Sequence, residues 1–158
     1  MNSPVRTAQL ALDVIVRSDI ETVFAAVVDW PAQGEWMLGT VVSAVDGDGQ
    51  GLHAKLAAFT GIGRLGFLDT MVITRWEPPY RVDVLHTGNV VRGTGAMEVI
   101  ALPGGNSRFV WSEDLELPLG VLGALGWPIA KYPFRYGVQR SLNRFAELVE
   151  SGRLPRSR

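Results

Sequence analysis

Glu113 and His86 are the two side chains whose type and position suit chemistry. In 107-SRFVWSEDLEL-117 the residues alternate, so Phe109, Trp111, Leu115 and Leu117 share a face with Glu113, while Arg108, Ser112, Asp114 and Glu116 take the other. In 80-YRVDVLHT-87, Tyr80, Val82 and Val84 share a face with His86. Each apolar strand face therefore carries one titratable group. A carboxylate buried without a partner costs several kcal/mol or has its pKa raised. An inward His on another strand of the same meander, or a Tyr or Arg nearby, would relieve that cost. Such a pair can fix or activate a polar group on an otherwise apolar ligand. It can equally be a satisfied structural pair at the mouth of a hollow.

Other chemistries find little support. There is no Cys, hence no disulfide, thiolate or Cys-based metal site. Of the two His, His53 sits beside a Gly-rich turn, and no HxxxH or HExxH spacing exists, so no metal site is expected. The run 61-GIGRLG-66 has no βαβ unit around it and is not a dinucleotide fingerprint, so no cofactor is expected. No Ser occupies a GxSxG elbow. The net charge of −1 gives no field favouring nucleic acid. The arginines near the C-terminus read as a solvated helix face and tail. The start, MNSPVRTAQL, lacks the apolar segment of a signal peptide, and no run approaches the ~18 apolar residues of a membrane span. A cytoplasmic protein without stable membrane insertion is the expectation.

The elements that must position the pair follow from periodicity. Residues 9-QLALDVIVR-17 alternate as a half-buried strand. Ser18 reads as an N-cap with Glu21 completing a capping box, and Ile20, Val23, Phe24 and Val27 form the stripe of a short helix. Pro31 ends it and opens a second short helix carrying Trp36. From 39 to 117, strand-like runs are punctuated by 46-DGDGQG-51, 61-GIG-63, 77-EPP-79, 87-TGN-89 and 103-PGGN-106, which predicts five or six antiparallel strands. The Gly-rich apolar stretch 119-LGVLGALGWPIAKYP-133 reads as a connection, whose first part, 119-LGVLGALGWP-128, is a loop packed on the core, a mobile flap over a mouth or a lipid-membrane contact. A helix of about 25 Å follows from Phe134 to Glu150, with Phe134, Val138, Leu142, Phe145, Leu148 and Val149 on one side. The tail from Ser151 is expected to fray.

One slim helix cannot fill a strongly bent sheet, so a gap between the two is expected. Its walls would include Trp36 near the rim, Phe59, Phe67, Met71, Val84, Met97 and Trp111 on the sheet, and Val138, Ser141 and Leu142 on the helix. Gly93 and Gly95 would bend the sheet, widen the gap, or both. Trp76 and Leu85 are read as outward-facing, which allows a monomer or a homodimer.

The order of elements, with 19-DIETVFAAVVDWPAQGEW-36, 77-EPPYRV-82 and 109-FVWSEDLELP-118, resembles the helix-grip fold of the START-like superfamily, also called SRPBCC or polyketide cyclase-like. The blocks 86-HTGNVVRGTG-95 and 126-GWPIAKYPFRYGVQRSLNRFAELVE-150 are similar to an actinobacterial group within it. The resemblance spans about residues 7–150 and implies an α+β chain forming a single domain: six or seven bent antiparallel strands around a long C-terminal helix, with two short helices after the first strand. It implies three functions. The first is binding of a hydrophobic small molecule (a lipid, polyketide or aromatic metabolite). The second is a cyclase, aromatase or dehydratase with Glu113 and His86 as general acid or base. The third is a protein-interaction module with a vestigial cavity.

Overall fold

The computed structural model describes residues 7–116 and 121–156, with backbone alone at 121–124. In chain order it contains β1 (Thr7–Val16), α1 (Ile20–Val27), a 3₁₀ turn (Trp30–Glu35), β2 (Thr40–Ala44), β3 (Lys55–Ile62), β4 (Leu65–Glu77), β5 (Arg81–Thr87), β6 (Arg92–Leu102), a 3₁₀ turn (Pro103–Gly105), β7 (Asn106–Glu116) and α2 (Val121–Glu150). The seven strands form one antiparallel sheet in the order β1-β7-β6-β5-β4-β3-β2. The sheet curls around α2, as the helix-grip reading requires.

One sheet face makes the core. Leu10, Val16, Leu56, Ile73, Val82, Val99 and Phe109 are buried there, in the alternation the sequence displays. Against them pack Val23, Phe24 and Val27 of α1 and Leu142, Phe145 and Val149 of α2. The helix lies along β1. Gln139 Nε2 donates to the Asp13 carbonyl at 3.1 Å, and Arg17 pairs with Glu150 at 2.9 Å. Burying a Leu, Val or Phe side chain stabilises by about 1.5–3 kcal/mol each, so this lower half is what holds the fold.

Four local readings change. The N-cap of α1 is Asp19, not Ser18: its Oδ1 accepts from Thr22 N at 2.8 Å and its Oδ2 from Thr22 Oγ1 at 2.9 Å. A carboxylate one residue nearer the first turn also opposes the positive end of the helix dipole. Second, α2 begins at Val121 and includes Pro128 and Pro133, so residues 121–133 are helix rather than an irregular connection; Leu119 and Gly120 lie outside the described residues. Each proline removes one backbone donor. Most of the surrounding side chains are exposed, which leaves the freed carbonyls open to water. Third, a register shift between Ile73 and Arg75 places Trp76 opposite Val82 on the inner face. There it meets Phe24 edge-on, with centroids 5.8 Å apart, so it offers no outer dimer contact. Fourth, the tail is docked: Leu154 is buried, Arg156 N donates to Asp29 Oδ2 at 2.9 Å, and the Arg156 guanidinium pairs with Glu35.

Trp30 is plain core: buried, its indole N–H bonds the Gly49 carbonyl at 2.9 Å. Replacing Leu154 by Ala should destabilise the protein by about 2–4 kcal/mol. Urea denaturation checks this; a change below about 0.5 kcal/mol would mean that the tail frays after all.

Candidate functional site

The inner sheet face divides into a filled half and an open half. In the filled half Trp36 is fully buried. Its ring meets Phe109, Trp111 and Phe145 edge-on at 6.1, 6.4 and 5.0 Å. Val138, Ser141 and Leu142 of α2 are buried beside it, and Ser141 Oγ accepts from Leu38 N at 3.5 Å. Trp36 therefore forms a floor rather than a rim. Its Nε1–H is buried and has no hydrogen-bond partner among the described residues. Toward the other end of the sheet, Met71, Met97 and Trp111 are only partly buried although they face inward. The helix covers them less, because on the side of α2 that leads to Val138, Phe134 is 43% exposed and Trp127 only half-buried.

Into this open half project His86 and Glu113, as their strand parity predicts. His86 Nε2–H donates to Glu113 Oε2 at 3.1 Å. The other ring nitrogen, Nδ1–H, donates to both oxygens of Asp69 at 3.0 and 2.9 Å. Glu113 Oε1 accepts from Trp111 Nε1 at 2.7 Å. Only 6%, 12% and 10% of the His86, Asp69 and Glu113 side chains is exposed. Carboxylates on both ring nitrogens favour a proton on each, which makes the ring an imidazolium. Burial alone would lower its pKa, but the hydrogen bonds to Asp69 and Glu113 and the charges of both outweigh that, raising it to about 9.

The reach between His86 and Glu113 is unusual, because a whole strand separates them. His86 lies opposite Gly93 of β6, and Glu113 lies opposite Gly95. A Cβ on Gly95 would stand 2.7 Å from Glu113 Oε2 and 2.9 Å from Oε1. The bare glycine is the space through which the carboxylate crosses. Gly93 has φ +125°, and a Cβ there would fall 2.1 Å from the Asp114 carbonyl, so a side chain is excluded twice over. The two glycines thus bend the strand and open room above it.

Asp69 was not anticipated from sequence. The signal was present: in 65-LGFLDTMVITRWE-77 it keeps step with Phe67, Met71 and Ile73, as Glu113 does with its apolar neighbours. Phe67 lies inward at the rim, 38% exposed, and Val84 is buried beside the cluster. Phe59 is a correction. Leu56 and Ala58 take the inner positions of β3, so Phe59 pairs with Leu68 on the outer face and lies over Gly66. The poor alternation of 52-LHAKLAAF-59 arises because β3 starts only at Lys55.

There are two further depressions. A cleft of about 550 Å³ runs between α1 and the Pro78–Pro79 corner, bordered by Phe24, Trp76 and Pro155. A groove of about 490 Å³ crosses the sheet over Ala11, Ala96 and Ser112 and reaches Val84, Gly95 and Glu113 of the polar cluster's own strands.

A family model for "Polyketide cyclase / dehydrase and lipid transport" matches residues 7–150. The chain belongs to this family. No curated protein sequence matches it. Among solved structures it is similar to a protein of Thermus thermophilus, at 14% identity and a TM-score of 0.76, with 92% of this chain and 99% of that one aligned. It is also similar to the Zhui aromatase/cyclase from a Streptomyces species (13% identity, TM-score 0.72, 95% and 98% aligned). A third is the norcoclaurine synthase of Thalictrum flavum, solved with a transition-state analogue (11%, 0.68, 96% and 99%). At these identities the likeness is one of fold. It establishes the helix-grip architecture, while the polar cluster is read from this member of the polyketide cyclase/dehydrase family alone. Among the described residues no helix is long and apolar enough to cross a membrane.

The cluster makes stability depend on pH with a definite sign. A folded-state pKa of about 9, against about 6.5 unfolded, means the stabilisation is complete below pH 6.5 and is lost as pH rises through 9. The wild type should lose on the order of 2 kcal/mol between pH 6.5 and 9.5, allowing for solvent screening, and His86→Gln should lose much less. Urea denaturation at both pH values checks this; equal losses in the two proteins would rule it out. Gly95→Ala should push Glu113 off His86 and cost about 1–3 kcal/mol at pH 7. A neutral effect would mean that Gly95 serves only the bend.

Proposed function

We propose that this protein binds a hydrophobic small molecule in the open half between the sheet and α2, and that Glu113 orients it by accepting a hydrogen bond from a ligand hydroxyl. The observation that carries this reading is a pre-built carboxylate at the edge of an apolar, incompletely covered face. Its two oxygens are already held by His86 and Trp111. Each carboxylate oxygen has a second lone pair, so Glu113 can accept once more without rearrangement. Fixed acceptors on rigid strands lose little entropy when a ligand arrives.

Orientation is favoured over catalysis by the state of His86. A general base needs a free lone pair within reach of the proton it removes. Here both ring nitrogens donate to carboxylates, and the ring holds its proton to about pH 9. The cluster also has one more carboxylate than it has cations, which disfavours an anionic ligand group beside it. The ligand class that fits is aromatic or polycyclic and carries a phenol or alcohol, as polyketides do. The aromatase/cyclase among the structural neighbours supports a second reading, in which Glu113 alone acts as the acid or base of a dehydration or ring closure. Nothing in the site favours a protein-interaction role with the hollow unused.

Titration with 2-naphthol, naphthalene and 2-naphthoate, followed by Trp fluorescence, separates these readings. The account expects 2-naphthol to bind at least about tenfold tighter than naphthalene, since a hydrogen bond to a charged group is worth about 1.5–3 kcal/mol, and 2-naphthoate to bind most weakly. Glu113→Gln should reduce the preference for the hydroxyl severalfold. Equal affinity for naphthol and naphthalene, or a preference for the carboxylate, would overturn the assignment of Glu113.

A further inference from the structure

The first half of α2 has two apolar faces, and only one of them turns toward the sheet. Trp127 and Phe134, their rings tilted at 59° with centroids 6.0 Å apart, continue the stripe that leads to Val138. Leu125, Ile129, Tyr132 and Tyr136 recur at the spacing of a second stripe, and they are 69%, 79%, 67% and 69% exposed. A helix apolar on more than one side ordinarily buries the second side against something. The same end of the molecule carries the tip of the β3–β4 hairpin, where Ile62 and Leu65 are 89% and 83% exposed. The two features are linked through residues 38–39: Gly61 N bonds the Gly39 carbonyl at 2.9 Å, and Leu38 N bonds Ser141 of α2. Together they frame the open half of the site.

The unpaired charge on the first half of α2 and at the hairpin turn has one sign; beside them Glu116 at the end of β7 pairs with Arg92 at 3.6 Å. No Asp or Glu occurs from Leu117 to Ala146, a stretch that holds Lys131, Arg135, Arg140 and Arg144, and Arg64 sits at the hairpin turn. Among the described residues no ion pair neutralises Arg64, Lys131, Arg135 or Arg140, and Lys131 Nζ lies 5.1 Å from the Tyr132 ring centre. The whole chain has a net charge of −1, so these cations are a local concentration. Exposed aliphatic and aromatic side chains interleaved with free cations match a bilayer interface, where rings settle at headgroup depth and Lys or Arg meet phosphates.

We infer that the mouth end docks on a membrane surface rich in anionic phospholipid, with the second stripe of α2 and the β3–β4 tip dipping into the headgroup layer. The docking itself needs only these surface residues. Its purpose rests on the hydrophobic-ligand reading: with the rim seated in lipid, an apolar ligand passes between bilayer and hollow without crossing water. Release in salt is expected, because the cations act through a screened field.

Flotation of the full chain with vesicles of phosphatidylcholine alone, or mixed with equal parts of phosphatidylglycerol, tests this. The wild type should float with the mixed vesicles at low salt, stay behind with phosphatidylcholine, and be released at high salt. Arg135→Glu should weaken binding by at least about fivefold, the effect of one cation near an anionic surface. The double substitution Ile129→Ser and Tyr132→Ser should abolish it. These positions are exposed, so an unchanged thermal melt verifies the fold, and unchanged 2-naphthol affinity separates docking from ligand binding. Wild type that ignores mixed vesicles, or a double variant that floats normally, overturns the inference. So does a wild-type dimer that the double variant converts to monomer, since a second copy would then be the occupant.

Discussion

An imidazolium held between two carboxylates across three strands is the constraint on which the upper half of this protein depends. Asp69 on β4 and Glu113 on β7 both reach His86 on β5, and the second reach crosses β6. That crossing exists because Gly95 offers no side chain to block it and Gly93 takes a backbone conformation that a side chain would strain. Buried charges are costly singly and tolerable when paired and hydrogen-bonded, so the cluster is stable only as a set. It fixes the positions of strands that the helix does not cover.

The division of the interior follows from where α2 grips. From Val138 onward its inner residues are buried against Trp36, Phe109 and β1; before that they stand clear. A bent sheet held along only part of its length must leave part of its apolar face uncovered. Apolar surface left uncovered by a chain's own side chains is where ligands and lipid surfaces bind, and the polar cluster lies at the boundary between the covered and uncovered parts.

Much of this was legible in the sequence because strands have a period of two. The inward facing of His86, Glu113, Trp111 and Val84 came directly from alternation, and turns marked by Gly and Pro showed five or six antiparallel strands between residues 39 and 117, although not their order in the sheet. The readings that failed did so where alternation breaks. A bulge after Ile73 reverses the parity of Trp76, and β3 starts later than its apolar run, which sends Phe59 outward. Pro128 and Pro133 concealed the first half of α2, since proline in a helix interior is usually disruptive and only tertiary context reveals it as tolerated. The docking of Leu154 is a long-range contact that no local pattern announces. Asp69 was legible by the same rule that exposed Glu113, but Leu68 and Val72 on the opposite face are apolar too, which blurred the alternation.

The state of His86 tests the account most directly. Nitrogen NMR of the imidazole, with His53 removed by substitution to leave one ring to observe, reports the protonation of both nitrogens across pH. The account predicts that Nδ1 and Nε2 both carry protons at pH 7.5 and that the ring titrates near 9. A neutral ring at pH 7.5, titrating at or below the ordinary 6.5, would contradict the paired carboxylates and the oriented acceptor built on them.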